Sequence, residues 1–331
     1  MLKYILKRLG LSIIILLGVS LILYILVRCM PFDFIEQQIA EMNQGGAQIP
    51  QETIDAMYKM YGLMPNPTFG DMLKGYWSWL SALCQFDLGI SFKFKEPVLD
   101  FIVAHMGVSF AIAFISIIFE YLIAIPLGVT AATHQYSIRD YVVTILVVIG
   151  LSLPSFFFAR ALQNIFSSQL GWFPFNGYET PGKGYSGLVR MFDILKHISL
   201  PIISMVILSI GGTMRYMRTN MLEVLNSDYI RTARAKGLKE SKVMYKHAFR
   251  NTMIPIVTMM AGILPTLFSG AMITEQVFDL PGIGSYALQA TMAGDIPFIM
   301  GYNMFLAMLS VVGVLLSDLM YMVVDPRVKL A

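Results

Sequence analysis

The segment SDYIRTARAKGLKESKVMYKHAFRN, residues 227–251, concentrates seven Lys and Arg residues in a chain that is otherwise apolar. Of the 331 residues, 56% are hydrophobic and 14% are charged, and the mean hydropathy is +0.65. Soluble domains carry roughly 25% charged residues. We therefore interpret the chain as an all-α polytopic membrane protein, and the basic segment as a connector between two of its spans.

Six charge-poor runs approach the roughly 20 residues that a helix needs to cross a bilayer. They cover residues 9–27, 108–131, 141–158, 200–214, 252–273 and 297–317. The first run is long for a signal peptide, and no small-residue cleavage site follows it, so we expect an uncleaved first helix. Six transmembrane helices place the N and C termini on the same side.

The distribution of positive charge predicts the orientation. The side that holds residues 215–250 carries fifteen Lys and Arg residues, against eight besides Arg160 on the other side, whose loops are much longer. Positive residues accumulate on the cytoplasmic side, where they also meet anionic lipid head groups. Both termini and the basic segment are therefore predicted to be cytoplasmic.

These spans divide the chain into a first transmembrane helix at residues 1–30, an extracytoplasmic loop subdomain at 31–104, and a core at 105–331. The core holds five spans and the cytoplasmic loop 215–250. In the outer segment, Trp77, Leu80 and Leu83 recur at helical spacing. This spacing indicates a helix at the outer membrane interface or part of a small packed subdomain, and the pattern leaves both open.

No site for chemistry emerges from the sequence. GYETPGKG, residues 177–184, lacks the hydroxyl of a phosphate-binding loop because Gly184 stands in its place, so no nucleotide-binding domain is predicted. The four histidines are scattered, without metal-binding spacing. The 24 methionines fit packing better than metal handling. Cys29 and Cys84 are expected to stay unpaired, and a disulfide between them is the alternative.

A short helix opens the basic segment. Ser227 or Asp228 is suited to cap it, and Gly237 to end it in the left-handed conformation that other residues resist. Tyr229, Ile230 and Ala233 share one face of this helix. An apolar face and a glycine stop are more organisation than contact with lipid requires, so the pattern favours a helix that fits into a groove.

The segment is similar to the EAA loop of binding-protein-dependent ABC importer permeases, in the version of the oligopeptide, dipeptide and nickel subfamily. Arg231, Thr232 and Ala233 stand where Glu-Ala-Ala stands in other importers, and Gly237 is the family glycine. Further matches span the chain in order. They are FDLGISF (86–92), IPLGVTAA (125–132), LSLPSF (151–156), LGWFPFNG (170–177), HISLP (197–201), TEQVFDLPGIG (274–284) and DLMYMVVDPR (318–327).

The resemblance implies a type I ABC importer permease fold in the bacterial cytoplasmic membrane. It implies a homologous second permease subunit, two cytoplasmic ABC ATPases and an extracellular or periplasmic substrate-binding protein as partners, with no nucleic acid. The ATPases would use ATP and Mg²⁺, and this chain would bind no cofactor. Peptides are the expected cargo; nickel, metal chelates or another small solute are the alternatives, and a stand-alone secondary transporter is the alternative of a different class.

In the family, the short helix couples the permease to the ATPase. This implies a contact formed by Tyr229, Ile230, Ala233 and Gly237, with Arg231, Arg234 and Lys236 as its polar rim. Thr232 is counted among the same ATPase-coupling residues. A bulky acidic residue at Ala233 is then expected to leave membrane insertion intact and to uncouple ATP hydrolysis from uptake.

Four residues are candidates for the substrate path. Glu120 is a costly carboxylate in mid-span, and we favour a position facing the path over one facing a partner subunit. Phe278, Pro281 and Gly282 lie in the outer loop VFDLPGIGSYAL, which is predicted to act as a gate or as a re-entrant packing element.

The chain also departs from the family pattern. Phe86 replaces a family glycine, and residues 31–34 replace the family turn Pro-Gly-Asp-Pro, which predicts a looser turn. Arg160, near the outer end of the third span, is expected to extend its guanidinium towards the outer surface.

Overall fold

A computed structural model describes residues 2–30, 34–44, 50–61, 68–259 and 262–324. The predicted turn at residues 31–33 and the C-terminal cations Arg327 and Lys329 lie outside this part of the chain. Within it, the β structure consists of one bridge between Ile90 and Pro97, and most of the remaining residues are helical. The all-α prediction is confirmed at this level.

The α-helices, in chain order, are α1 (Leu2–Arg28), α2 (Phe34–Gln44), α3 (Gln51–Met60), α4 (Phe69–Leu83), α5 (Val98–Thr133), α6 (Ile138–Ser152), α7 (Ser155–Leu162), α8 (Gly187–Leu225), α9 (Asp228–Ala235), α10 (Glu240–Lys242), α11 (Arg250–Met259), α12 (Ile263–Ser269), α13 (Met272–Val277), α14 (Ile283–Met292) and α15 (Ile296–Val324). Two stretches are π-helical, π1 (Gln163–Gln169) and π2 (Val243–Phe249).

Among the described residues, four helices are long and apolar enough to cross a membrane, namely α1, α5, α8 and α15. They contain the predicted spans 9–27, 108–131, 200–214 and 297–317. The other two predicted spans, 141–158 and 252–273, are interrupted in the structure. Leu153 is extended between α6 and α7 because Pro154 follows it, and Gly270 has a φ of +70° between α12 and α13.

Helix α5 connects the two ends of the molecule. At 36 residues it is about 54 Å long. Its first turns, at Val98 and Phe101, pack with Ile283 from the predicted outer loop and with Phe298 at the start of the last predicted span. Its last turn, at Ala132, packs in a different cluster with residues of the predicted cytoplasmic loop. Segments that were assigned to opposite sides of the membrane therefore lie at opposite ends of α5.

The outer segment is anchored to the first helix by α4. The Tyr76 hydroxyl lies 2.9 Å from the Ser20 hydroxyl in α1, and its ring meets Tyr24 edge to face. Phe69, at the start of α4, and Trp77, next to Tyr76, are 82% and 62% exposed. This arrangement suits a helix at the membrane interface. Helices α2 and α3 pack around Ile35 and Tyr58 in a small separate cluster, which Phe92 and Ile296 also contact.

Phe86 adopts a left-handed backbone conformation, with a φ of +60°, at the position where the family has glycine. Its side chain is 77% exposed, so the ring contributes little packing. A non-glycine residue in this conformation costs about 1 to 2 kcal/mol of stability. Glycine would remove this cost, although the greater conformational entropy of glycine in the unfolded chain offsets part of the gain. Phe86→Gly is therefore expected to stabilise the protein by about 1 kcal/mol, measured by thermal unfolding in detergent.

Phe86→Ala is the matched control for this prediction, because alanine removes the ring and keeps the strain. An equal gain in both variants would show that the exposed ring, and not the backbone conformation, destabilises the wild-type protein.

Candidate functional site

Helix α9 follows α8 after a corner of two residues, Asn226 and Ser227. The Ser227 hydroxyl donates to the Val224 carbonyl at the end of α8, and so does its backbone N–H. Ser227 occupies the predicted N-cap position, but its side chain does not cap α9. Asp228 begins the helix instead, and its negative charge favours the N-terminal end of a helix dipole.

The predicted glycine stop is present. Gly237 has a φ of +70°, and its N–H donates to the Arg234 carbonyl over 2.9 Å. Across this glycine, Arg234 forms an ion pair with Glu240, and the shortest distance between them is 2.7 Å, from Nη2 to Oε1. The hydrogen bond from Arg234 lowers the pKa of Glu240. The pair closes the turn between α9 and α10 on the surface.

The apolar face of α9 is turned towards the chain's own interior. Ile230 is 0% and Ala233 7% exposed. They share a buried cluster with residues from the ends of α5 and α8 and from π2, namely Ala132, Met221, Val243 and Ala248. The prediction that Ile230 and Ala233 lie on a contact surface therefore needs correction, because this chain already covers both side chains.

The exposed face of α9 carries the other predicted residues. Tyr229 is 46% exposed, and the Arg231 side chain is 72% exposed in a loose ion pair with Asp228. Thr232, Arg234, Lys236 and Gly237 are also exposed. The structure thus brings together a mixed polar and aromatic surface on a short helix that is held from behind by its buried residues.

An ion pair that the sequence analysis did not identify fastens α8 next to this helix. Arg218 of α8 binds Asp140 of α6 through two hydrogen bonds of 2.8 Å, from Nε to Oδ1 and from Nη2 to Oδ2. Asp140 is 5% exposed and also accepts from the Tyr136 N–H. A bidentate, largely buried pair resists movement of α8 relative to α6.

The outer loop is packed rather than open. Phe278 is 2% exposed, and it lies in a cluster with Ile112 of α5 and Ile198 of α8. Its carbonyl accepts from the Gly177 N–H over 2.9 Å. Gly282 is buried, and Pro281 is partly buried. Of the two predicted roles, this geometry favours the packing element in the state described here.

A carboxylate that the sequence analysis missed organises this loop. Glu275 is 1% exposed; it accepts from the Ser109 hydroxyl (2.6 Å), the Ala271 N–H (3.1 Å) and the Ser285 N–H (2.9 Å). Burial raises the pKa of the Glu275 carboxyl, and the hydrogen bonds from Ser109 and Ser285 oppose that effect. The signal in the sequence is a carboxylate within a mostly apolar stretch that is rich in glycine.

Three glycines make room for this carboxylate. A Cβ atom on Gly282 would lie 2.4 Å from Cδ of Glu275, and one on Gly284 would lie 2.9 Å from its Oε2. At Gly270 a Cβ would approach Oε1 to 2.7 Å, and its positive φ adds strain. The family motif in this loop is therefore explained by close contact with Glu275.

Glu120 lies between α5 and α8, where its carboxylate accepts a hydrogen bond from the Thr213 hydroxyl. An apolar groove of about 560 Å³ runs along another face of α5, between it and α11 and α12. Glu120 does not line this groove. It is also eleven residues, or about 16 Å along α5, from Ser109 at the outer loop. The structure therefore does not bring the four substrate-path candidates together.

Nothing in the described residues groups three or more His, Cys, Asp or Glu side chains for a metal ion. In the same part of the chain, Cys29 and Cys84 are free and exposed. The distinctive features are thus the exposed face of α9 at one end and the loop around Glu275 at the other.

Comparison with known proteins gives consistent results over the whole chain. Residues 124–330 match the family described as binding-protein-dependent transport system inner membrane component. The oligopeptide transport system permease protein AppB of Bacillus subtilis is 36% identical over 99% of this chain and 100% of its own length. A putative peptide permease protein of Brucella ovis is 35% identical over 99% of both chains. The dipeptide transport system permease protein DppB of Alkalihalophilus pseudofirmus is 30% identical over 99% of this chain and all of its own.

Proposed function

The chain belongs to the family of binding-protein-dependent transport system inner membrane components, and on that basis we propose that it forms half of the translocation path of an ATP-driven peptide importer. It is a multi-pass protein of the inner membrane. The names of its relatives, which describe peptide, oligopeptide and dipeptide permeases, support peptides as cargo. A homologous permease subunit would supply the other half of the path.

We propose six membrane crossings with both termini in the cytoplasm. Helices α1, α5, α8 and α15 supply four of them. Helices α6 and α7 together supply the third crossing, and α11 and α12 the fifth. A break within a crossing is tolerated where neighbouring protein covers the backbone, and the packing of α7 against α8 and α13 supports this for the break at Pro154.

The observation that carries the proposal is the way α9 packs against the rest of the chain. Its inner face is buried against the ends of α5 and α8, while its outer face displays Tyr229, Arg231 and Thr232. A short helix fixed in this way transmits a push from a cytoplasmic partner to the long helices without bending. We assign that partner to an ABC ATPase, of which two would act on the permease pair. The ATPases would bind ATP and Mg²⁺, and this chain would bind neither.

A substrate-binding protein on the outer side would deliver the peptide. The loop around Glu275 then belongs to the outer boundary of the path. Its packed state supports a closed path on that side, and domain closure of the ATPases would open it through α8 and its ion pair with α6.

The exposed face of α9 allows a direct test. Thr232→Glu adds a charge to this face, and Gln169→Glu adds the same charge to the exposed far end of the molecule. Uptake of a labelled tripeptide is measured in proteoliposomes that contain the permease pair, the ATPases and the binding protein. We expect Thr232→Glu to insert normally and to lose uptake by roughly tenfold, because a contact residue is disrupted, and Gln169→Glu to retain uptake.

Different failures have different meanings. Normal uptake by Thr232→Glu would remove α9 from the contact with the ATPase. Uptake by the wild type without ATPase or ATP would instead identify a secondary transporter. Uptake of nickel, without uptake of any peptide, would support an ATP-driven importer but show that its cargo is nickel and not peptides.

A further inference from the structure

We propose that the cavity around Arg160, where α7 continues into π1, is a binding site for the phosphate of a phospholipid head group. The cavity has a volume of about 440 Å³. Its lining residues are Phe157, Arg160, Ala161, Asn164, Ser168 and Phe175. It therefore combines one guanidinium, an amide and a hydroxyl with aromatic walls.

The guanidinium is held in place by a buried glutamine. Gln163 is 0% exposed, and its Nε2 donates to the Phe175 carbonyl (2.6 Å), the Asn176 Oδ1 (2.8 Å) and the Val277 carbonyl (3.3 Å). Three acceptors around one nitrogen fix the orientation of the amide. Its Oε1 consequently points to Arg160 and accepts from Nη1.

Within the described residues, no carboxylate neutralises the charge of Arg160. In the regions that the structure covers, no carboxylate lies within ion-pair distance of its guanidinium, although five other arginines form such pairs. Gln163 accepts from one nitrogen, and the guanidinium also lies 5.9 Å from the centre of the Phe175 ring. Its remaining N–H groups are available to an oxyanion, for which a fixed guanidinium is well suited.

The depth of the site favours a lipid phosphate as this oxyanion. Arg160 bonds to Gln163, whose amide in turn binds Phe175, Asn176 and Val277 of the two predicted outer loops. Arg160 therefore lies at the outer end of its crossing, where the hydrocarbon core of about 30 Å gives way to the head groups. Next to it, Phe156 and Phe157 are each 57% exposed, which suits contact with acyl chains.

The test compares Arg160→Gln with Lys183→Gln, which removes another exposed outer charge away from the cavity. The full chain is purified in mild detergent and titrated with phosphatidylglycerol, and bound lipid is counted by native mass spectrometry. We expect Arg160→Gln to bind the lipid roughly tenfold more weakly than the wild type, and Lys183→Gln to bind it unchanged.

Three further probes separate the sources of the anion. Diglucosyl diacylglycerol, which has no phosphate, is expected to bind poorly, and inorganic phosphate is expected to compete with phosphatidylglycerol only weakly. A tripeptide with a free carboxylate is expected not to displace the lipid. Displacement by this peptide and not by its amidated form would overturn the proposal in favour of a site for substrate carboxylates.

Asn164→Leu covers the case in which Arg160→Gln does not fold, since Asn164 is exposed and leaves Gln163 untouched. It is expected to weaken binding of phosphatidylglycerol several-fold through loss of one donor. Wild-type binding of the lipid by either folded variant would overturn the proposal.

Discussion

Gly282→Ala is expected to destabilise the protein by about 3 kcal/mol and to abolish uptake, although the change adds a single methyl group. The new Cβ would lie 2.4 Å from Cδ of Glu275 and 2.6 Å from Oγ of Ser109. Neither side chain can move away, because the Glu275 carboxylate and the Ser109 hydroxyl form the buried hydrogen bonds between α5 and the outer loop. Overpacking of this kind costs about 1 to 3 kcal/mol, and loss of a buried charged hydrogen bond adds to it.

Gly107→Ala is the matched control. Gly107 lies two residues before Ser109 in α5, and a Cβ there would meet nothing within 4 Å. Alanine also favours the helix over glycine. Thermal unfolding in detergent should therefore show a loss for Gly282→Ala and none for Gly107→Ala. Similar stability of both variants would mean that the contact between Gly282 and Glu275 is not a close one.

Glu275 itself supplies the other half of this test. Glu275→Ala leaves the donors of Ser109, Ala271 and Ser285 without their buried partner, and each buried donor left unsatisfied costs about 1 to 3 kcal/mol. The double variant with Gly282→Ala is expected to lose less than the sum of the two, because the carboxylate that collides with the new methyl group is gone. If the losses of stability in the two single variants simply add in the double variant, Gly282 and Glu275 do not interact.

The parts of the fold that the sequence predicted are those that depend on composition alone. Four uninterrupted helices followed from charge-poor runs, because hydropathy measures directly what a bilayer requires. The interruptions at Leu153 and Gly270 were less accessible. Proline and glycine are common in transmembrane helices, and whether one of them breaks the helix depends on which neighbours cover the freed backbone groups.

The site was predictable in its local features and not in its contacts. The stop at Gly237 followed from the chemistry of one residue. The burial of Ile230 and Ala233 did not, because an apolar face indicates that something covers it and does not identify the cover. For the same reason Glu275 was missed: its side-chain partner Ser109 is 166 residues away, and a single sequence holds no trace of that pairing.

Ala233→Glu is expected to cost about 3 kcal/mol of stability and to abolish uptake. From the sequence, the same change was expected to leave the protein intact and to disturb only the contact with the ATPase. The structure changes this expectation, because Ala233 is 7% exposed and packs with Ile230, Met221 and Val243. A carboxylate in this cluster is buried without a partner, so it must either force α9 away from α8 or take up a proton.

Ala235→Glu is the control, because it adds the same charge to the exposed side of the same helix, two residues away. Substitutions at such positions change stability by about 0.5 kcal/mol or less. Thermal unfolding should therefore separate Ala233→Glu from both Ala235→Glu and Thr232→Glu, even where uptake is lost in all three. A stable Ala233→Glu protein that lacks uptake would restore Ala233 to the contact surface. Loss of stability confined to Ala233→Glu would instead mean that the exposed face of α9 contacts the ATPase, while its buried face passes the movement of the ATPase on to α5 and α8.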